Sequence, residues 1–173
     1  MNKHKEVQNM FVFDFKNPAE TLKWVSMDDR VMGGASRSQL VYSGGKAHFK
    51  GEVKLDEELR GFASVRSKND KFDLKAFEGI LLRVKGDGKT YRLNMKTERH
   101  HDGFLYQYAF ETLEGQGIDV AIPFEKFLPF FRGRFVENAA PLNPEDIRSF
   151  GFMIAEQKGN FDLEIENIKV YGK

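Results

Sequence analysis

At 173 residues the chain is long enough for one domain with a sizeable core, because folding at this size withdraws roughly 70% of the chain's surface from water. The absence of Cys excludes disulfides, thiolate metal sites and a cysteine nucleophile. Lys and Arg number 27 against 26 Asp and Glu, and a formal charge of +1 provides no large basic field for a nucleic-acid backbone.

Seventeen Phe accompany 5 Tyr and 1 Trp, and they recur in short bursts separated by Gly-containing breaks. Phe packs well on pleated sheets and Gly marks turns, so the pattern predicts an all-β domain. Met1 to Met10 (MNKHKEVQNM) lacks the apolar core of a secretory signal and the Arg and Ser bias of a transit peptide. No apolar run approaches the ~20 residues of a membrane-spanning helix. The expectation is a single cytoplasmic domain over 1–173, with 1–9 loosely attached and no integral membrane segment.

The first predicted strand is Met10–Phe15, followed after Asn17 and Pro18 by a long loop over Trp24–Ser36. Strands then follow at Ser38–Tyr42, Lys46–Leu55, Gly61–Ser67, Gly79–Lys85, Thr90–Thr97, Gly103–Thr112 and Gly117–Ile122. Gly86-Asp87-Gly88 predicts a hairpin between two of them, since Asp and Gly tolerate the positive φ of tight turns. A helical turn is expected to open at Pro123, with Pro129 limiting its length, and a short helix at Pro144–Arg148. Phe150–Ala155 and Phe161–Tyr171 close the chain. This spacing predicts a β-sandwich or barrel.

Alternation assigns faces within these strands. Phe161, Leu163 and Ile165 alternate with Asp162, Glu164 and Glu166, which predicts one wet face. Ser64 and Arg66 share a face with Phe62, and Arg92 and Asn94 share one opposite Tyr91 and Leu93. Such polar residues are candidates for lining a concave groove, where an arginine presents a planar fork to a carboxylate; an internal ion pair explains Arg66 equally well. Trp24 is a stacking candidate, although a sole Trp is more often a packing residue. Asp28 and Asp29 beside Arg30 are candidate hard-cation ligands, but adjacent side chains diverge and an Asp capping a turn is commoner. The pair Gly33-Gly34 permits either close approach of a partner or a sharp bend. Phe127, Phe130 and Phe131 with Arg132 and Arg134 suggest an apolar patch with a charged rim. His100-His101-Asp102 reads as a solvated hairpin tip. Glu57-Glu58 would serve glycosidase chemistry only with a third carboxylate across a cleft. Neither Gly-x-Ser-x-Gly nor a phosphate loop is present, so no cofactor and no catalysis are expected.

Trp24, followed by Ser26-Met27-Asp28-Asp29-Arg30-Val31-Met32-Gly33-Gly34-Ala35-Ser36, resembles the signature of the complex I intermediate-associated protein 30 family. Similar blocks follow in order at Phe49–Val53, Gly61–Ser67, Gly86–Tyr91, Ile122–Phe124 with Phe127, Arg132–Arg134, Ile147–Ile154 and Gly159–Ile165. The chain departs from the pattern at Arg30, usually Gly, at Glu57–Arg60, and at Ile118, often Trp. The resemblance implies a galactose-binding-like jelly roll and a role in holding assembly intermediates of the respiratory NADH dehydrogenase. Two binding classes follow. One is a protein-binding module using the Phe and Arg patch. The other is a carbohydrate-binding module in which Tyr106, Tyr108, Arg66, Arg92 and Asn94 line a sheet and engage a saccharide.

Overall fold

The structure, a computed structural model, describes residues 10–56, 60–98 and 103–172. Its strands are β1 (Met10–Asp14), β2 (Trp24–Ser26), β3 (Arg37–Ser43), β4 (Lys46–Val53), β5 (Phe62–Ser67), β6 (Gly79–Lys85) and β7 (Thr90–Thr97). They continue as β8 (Phe104–Glu111), β9 (Gly117–Pro123), β10 (Leu128–Phe131), β11 (Arg134–Phe135), β12 (Ile147–Ala155) and β13 (Gly159–Tyr171). One antiparallel sheet runs β3-β4-β13-β6-β9 with β1 added on β13; the other runs β11-β10-β8-β7-β12-β5-β2. The result is the predicted jelly-roll sandwich.

Period-two alternation places the core between the sheets. Phe49, Leu82 and Leu163 from the six-stranded sheet and Tyr91, Leu93 and Phe152 from the seven-stranded one are fully buried. The Phe49 and Tyr91 rings meet edge to face at 6.2 Å across the layers. In β13, Phe161, Leu163 and Ile165 point inward as expected, and a bulge before Asn167 resets the pleat so that Ile168 and Val170 also reach the core. Burying a run this long on one face needs that reset, because an unbroken alternation would turn Ile168 and Val170 to solvent.

Three local expectations change. Gly86-Asp87-Gly88 does not join a hairpin: β6 and β7 lie in different sheets, so the turn carries the chain between layers. Its turn chemistry is as expected, with Gly88 at φ +90, but the Asp87 carboxylate accepts from the Tyr91 hydroxyl at 3.0 Å and from the Asp162 backbone N–H at 3.0 Å. Burial, together with the adjacent Asp87 charge, pushes the Tyr91 phenol above its ordinary pKa. The two expected helices are short 3-10 turns, Phe124–Lys126 and Pro144–Asp146. The Trp24–Ser36 loop includes β2 and a 3-10 turn over Asp29–Met32. Residues 1–9, Glu57-Glu58 and His100-His101-Asp102 lie outside the described residues.

Candidate functional site

Several predicted site residues belong to the frame. Trp24 is 7% exposed and packs at 5.1 Å against Phe13 and 5.7 Å against Phe152, so it offers no ring to a ligand. β2 pairs Trp24 with Ser67, whose neighbours on β5 alternate into the core, and this turns the indole inward.

The adjacent aspartates also face inward. Asp28 accepts from Ser38 N–H at 3.0 Å, from the Ser38 hydroxyl, and from Ser64 N–H at 3.0 Å. Asp29 accepts from Ser36 N–H at 2.9 Å, the Ser36 hydroxyl at 2.8 Å and Phe62 N–H at 3.0 Å. Each carboxylate therefore joins a serine at the head of β3 to a backbone donor of β5, stitching the edge of one sheet to the other. These donors occupy three of the roughly four acceptor sites on each carboxylate, and no group of three metal-ligating side chains occurs among the described residues. Gly34 belongs to the same device. A Cβ there would sit 2.4 Å from the Asp29 carboxyl carbon, so the close approach this glycine allows is to its own chain. Arg30 is exposed at the tip of the turn beside exposed Val31 and Met32.

The saccharide constellation divides between two faces. Leu93 pairs with Tyr108 and Met95 with Tyr106, which puts both tyrosines on the core side of β8. Tyr106 is buried and gives its hydroxyl to Ala140 O at 2.8 Å. Arg66, Arg92 and Asn94 occupy the opposite, outer face. There the register aligns Leu128, Gln107, Asn94, Gly151, Arg66 and Val25 in one row across six strands. A second row holds Ala109, Arg92, Met153 and Ser64. Gln107 and Met153 were missed in the sequence; period-two alternation already placed Gln107 opposite the tyrosines, but only the strand order brings it beside Asn94.

Charge distinguishes the two outer faces. On the six-stranded sheet Lys46 meets Glu164 at 3.5 Å, Arg83 meets Asp119 at 3.4 Å, and His48 meets Asp162 at 3.0 Å. A shallow depression there is lined by His48, Lys85, Asp87, Glu114, Asp162 and Glu164, within which His48 faces Asp162 and Glu164 at 3.0 and 3.9 Å. On the seven-stranded sheet, half-buried Arg66 and Arg92 form no ion pair or side-chain hydrogen bond with any described residue. Between them Asn94 is 5% exposed, and its side-chain oxygen has no hydrogen-bond partner.

The same face ends in an apolar ribbon. Phe127 goes to the core, 6.1 Å from Tyr108, which removes it from the predicted patch. Phe130 pairs across β10 and β11 with Phe135, their rings 5.9 Å apart, while Leu128 and Phe135 are 49% and 53% exposed. Phe131 projects from the other side of the ribbon, with the Arg132 guanidinium 5.3 Å above its ring. Arg132 and Gly133 form the two-residue turn at φ +47 and +81, the sign that tight hairpins require.

The fold resembles the family 11 carbohydrate-binding module of the cellulase Lic26A-Cel5E from Clostridium thermocellum, with a TM-score of 0.73, 20% identity and coverage of 98% of this chain and 97% of that one. It also resembles the agarase AgWH50C, with a TM-score of 0.67, 10% identity and coverage of 95% of this chain and 24% of that one. In sequence, the chain is 31% identical to the mitochondrial complex I intermediate-associated protein 30 of Drosophila melanogaster over 91% of its length, and 27% identical to the mouse protein over 95%. It spans 61% and 56% of the length of these relatives. Because both are named as mitochondrial, the expectation of a cytoplasmic protein, drawn from the leader-free look of its first residues, is overturned. The model of the complex I intermediate-associated protein 30 family matches residues 13–165, and the chain belongs to that family.

Proposed function

We propose that this chain is a non-catalytic binding module that holds a protein partner, an assembly intermediate of a respiratory complex, on the outer face of its seven-stranded sheet. The observation that carries the reading is the combination on that face of exposed Leu128 and Phe135 with arginines that no carboxylate among the described residues neutralises. A core of apolar contact with unpaired charge around it is the composition of a protein interface. The relatives' name, which associates them with an intermediate of complex I, supports the same class of partner.

Neutral-saccharide binding is disfavoured by one placement. Tyr106 and Tyr108, the two rings expected to stack on a sugar, turn inward and away from Arg66, Arg92 and Asn94. The test is native electrophoresis of detergent-solubilised membranes from cells carrying the protein or its Phe135→Ser variant, probed for NADH dehydrogenase subunits. Co-migration with a subassembly is expected for the parent and loss of it for the variant. Equal co-migration, or none for the parent, overturns the proposal.

A further inference from the structure

We propose that the row Leu128, Gln107, Asn94, Gly151 and Arg66 seats an extended acidic segment of the protein partner. The segment crosses the strands with an apolar side chain at Leu128 and a carboxylate at Arg66 and Arg92. This rests on the reading above that the partner is a protein.

Charge comes first. A half-buried guanidinium is partly stripped of water and ordinarily finds an anion; Arg83, on the opposite outer face, has Asp119 at 3.4 Å and Glu166 at 3.7 Å. Arg66 and Arg92 have no such partner among the described residues, and Glu111, two residues beyond Ala109 on the same face, makes no ion pair with either. The missing anion is supplied from outside.

The carboxamides specify what carries it. Asn94 and Gln107 stand directly opposite each other on β7 and β8, both nearly buried although they point away from the core. Each offers a donor and an acceptor side by side, the complement of a peptide group. The Asn94 oxygen has no hydrogen-bond partner, and because its terminal torsion is soft the amide can turn either edge to an incoming backbone. Gly151 lies between Asn94 and Arg66 in the row and is itself buried, with Val65 O 3.0 Å from where a Cβ would stand, so no side chain of β12 rises between the two polar groups.

Length completes the argument. Leu128 and Arg66 are four strand spacings apart, which at ~4.8 Å per strand is about 19 Å, the reach of roughly six extended residues. An apolar residue and an acid about five positions apart would therefore engage both ends.

The test is titration of the isotope-labelled protein with synthetic hexapeptides carrying Leu at one end, Glu-Glu at the other and Ser between, made in both chain orders. Matched Gln-Gln peptides, a mixed-linked glucan tetrasaccharide and oligogalacturonate are the other arms. The side-chain amide signals of Asn94 and Gln107 are expected to shift with a Glu-Glu peptide. The Gln-Gln peptide, or the Arg66→Gln/Arg92→Gln variant with its native spectrum retained, should weaken binding about tenfold or more. No shift at millimolar peptide, equal shifts from Gln-Gln peptides, or shifts from the saccharides instead would overturn the inference. If the peptides fail while native-gel association is still lost in the Phe135 variant, this seat is wrong and the protein-binding reading stands; if both fail, that reading falls with it.

Discussion

Replacing Asp29 by Asn tests whether the two aspartates are stitches rather than ligands. The carboxylate satisfies Ser36 N–H through one oxygen and Phe62 N–H through the other. An amide has only one oxygen, so whichever way it turns, one buried backbone donor faces an NH2 group. The Ser36 hydroxyl can adapt, since it lies within 3.4 Å of Lys54 O and already accepts from Lys54 N–H. The net loss is one stranded donor, about 1–3 kcal/mol, or a fall in Tm of roughly 4–8 °C for a 2 kcal/mol loss in a domain this large. Urea denaturation at constant m-value measures it. Gly34→Ala supplies the companion measurement, because the new Cβ would meet the Asp29 carboxylate at 2.4 to 2.8 Å. It should cost about 2 kcal/mol or more in the parent and under ~0.5 kcal/mol in an Asp29→Ala background, where the obstacle is gone. Asp29→Asn within ~0.5 kcal/mol of the parent, or a Gly34→Ala cost independent of residue 29, would refute the reasoning.

Three further outcomes follow from packing and electrostatics. Trp24→Ala should cost about 3–5 kcal/mol in denaturant unfolding, the price of a core cavity, whereas a surface stacking residue would cost little. Arg132→Asn should stabilise the β10–β11 hairpin by about 0.5–1 kcal/mol in denaturant unfolding, since Asn tolerates the positive φ that Arg endures. The Tyr91 phenol has a folded-state pKa raised above its unfolded value near 10, so its stabilisation is complete below about pH 10 and fades as pH rises beyond it. Tyr91→Phe should accordingly reduce the loss of stability above pH 10 by about 1.4 kcal/mol per pH unit; an unchanged slope would contradict the burial of that hydroxyl beside Asp87.

Much of the fold was legible because it follows from period-two alternation. Phe161, Leu163 and Ile165 against Asp162, Glu164 and Glu166 defined an inner and an outer face, and the structure keeps both. Strand order was not legible. Gly86-Asp87-Gly88 has hairpin chemistry, but which sheet each flanking strand joins depends on long-range pairing with β12 and β13 that turn residues do not encode. The same limit governs the site. Alternation separated Arg92 and Asn94 from Tyr91 and Leu93, yet only the β8–β7–β12–β5 order reveals that Arg66 joins them and that Tyr106 and Tyr108 do not. The role of Asp28 and Asp29 was hidden for a related reason: their donors, Phe62 and Ser64, lie more than thirty residues away.

The central claim is that a partner reads the seven-stranded sheet. Site-specific photo-crosslinking tests it, with the reactive group placed in turn at Phe135 and Met153 on that outer face, and at Val41 and Ala121 on the outer face of the six-stranded sheet. Adducts with a respiratory-complex subunit from the first pair alone are the predicted result. Adducts from Val41 or Ala121, with none from Phe135 or Met153, would contradict the account.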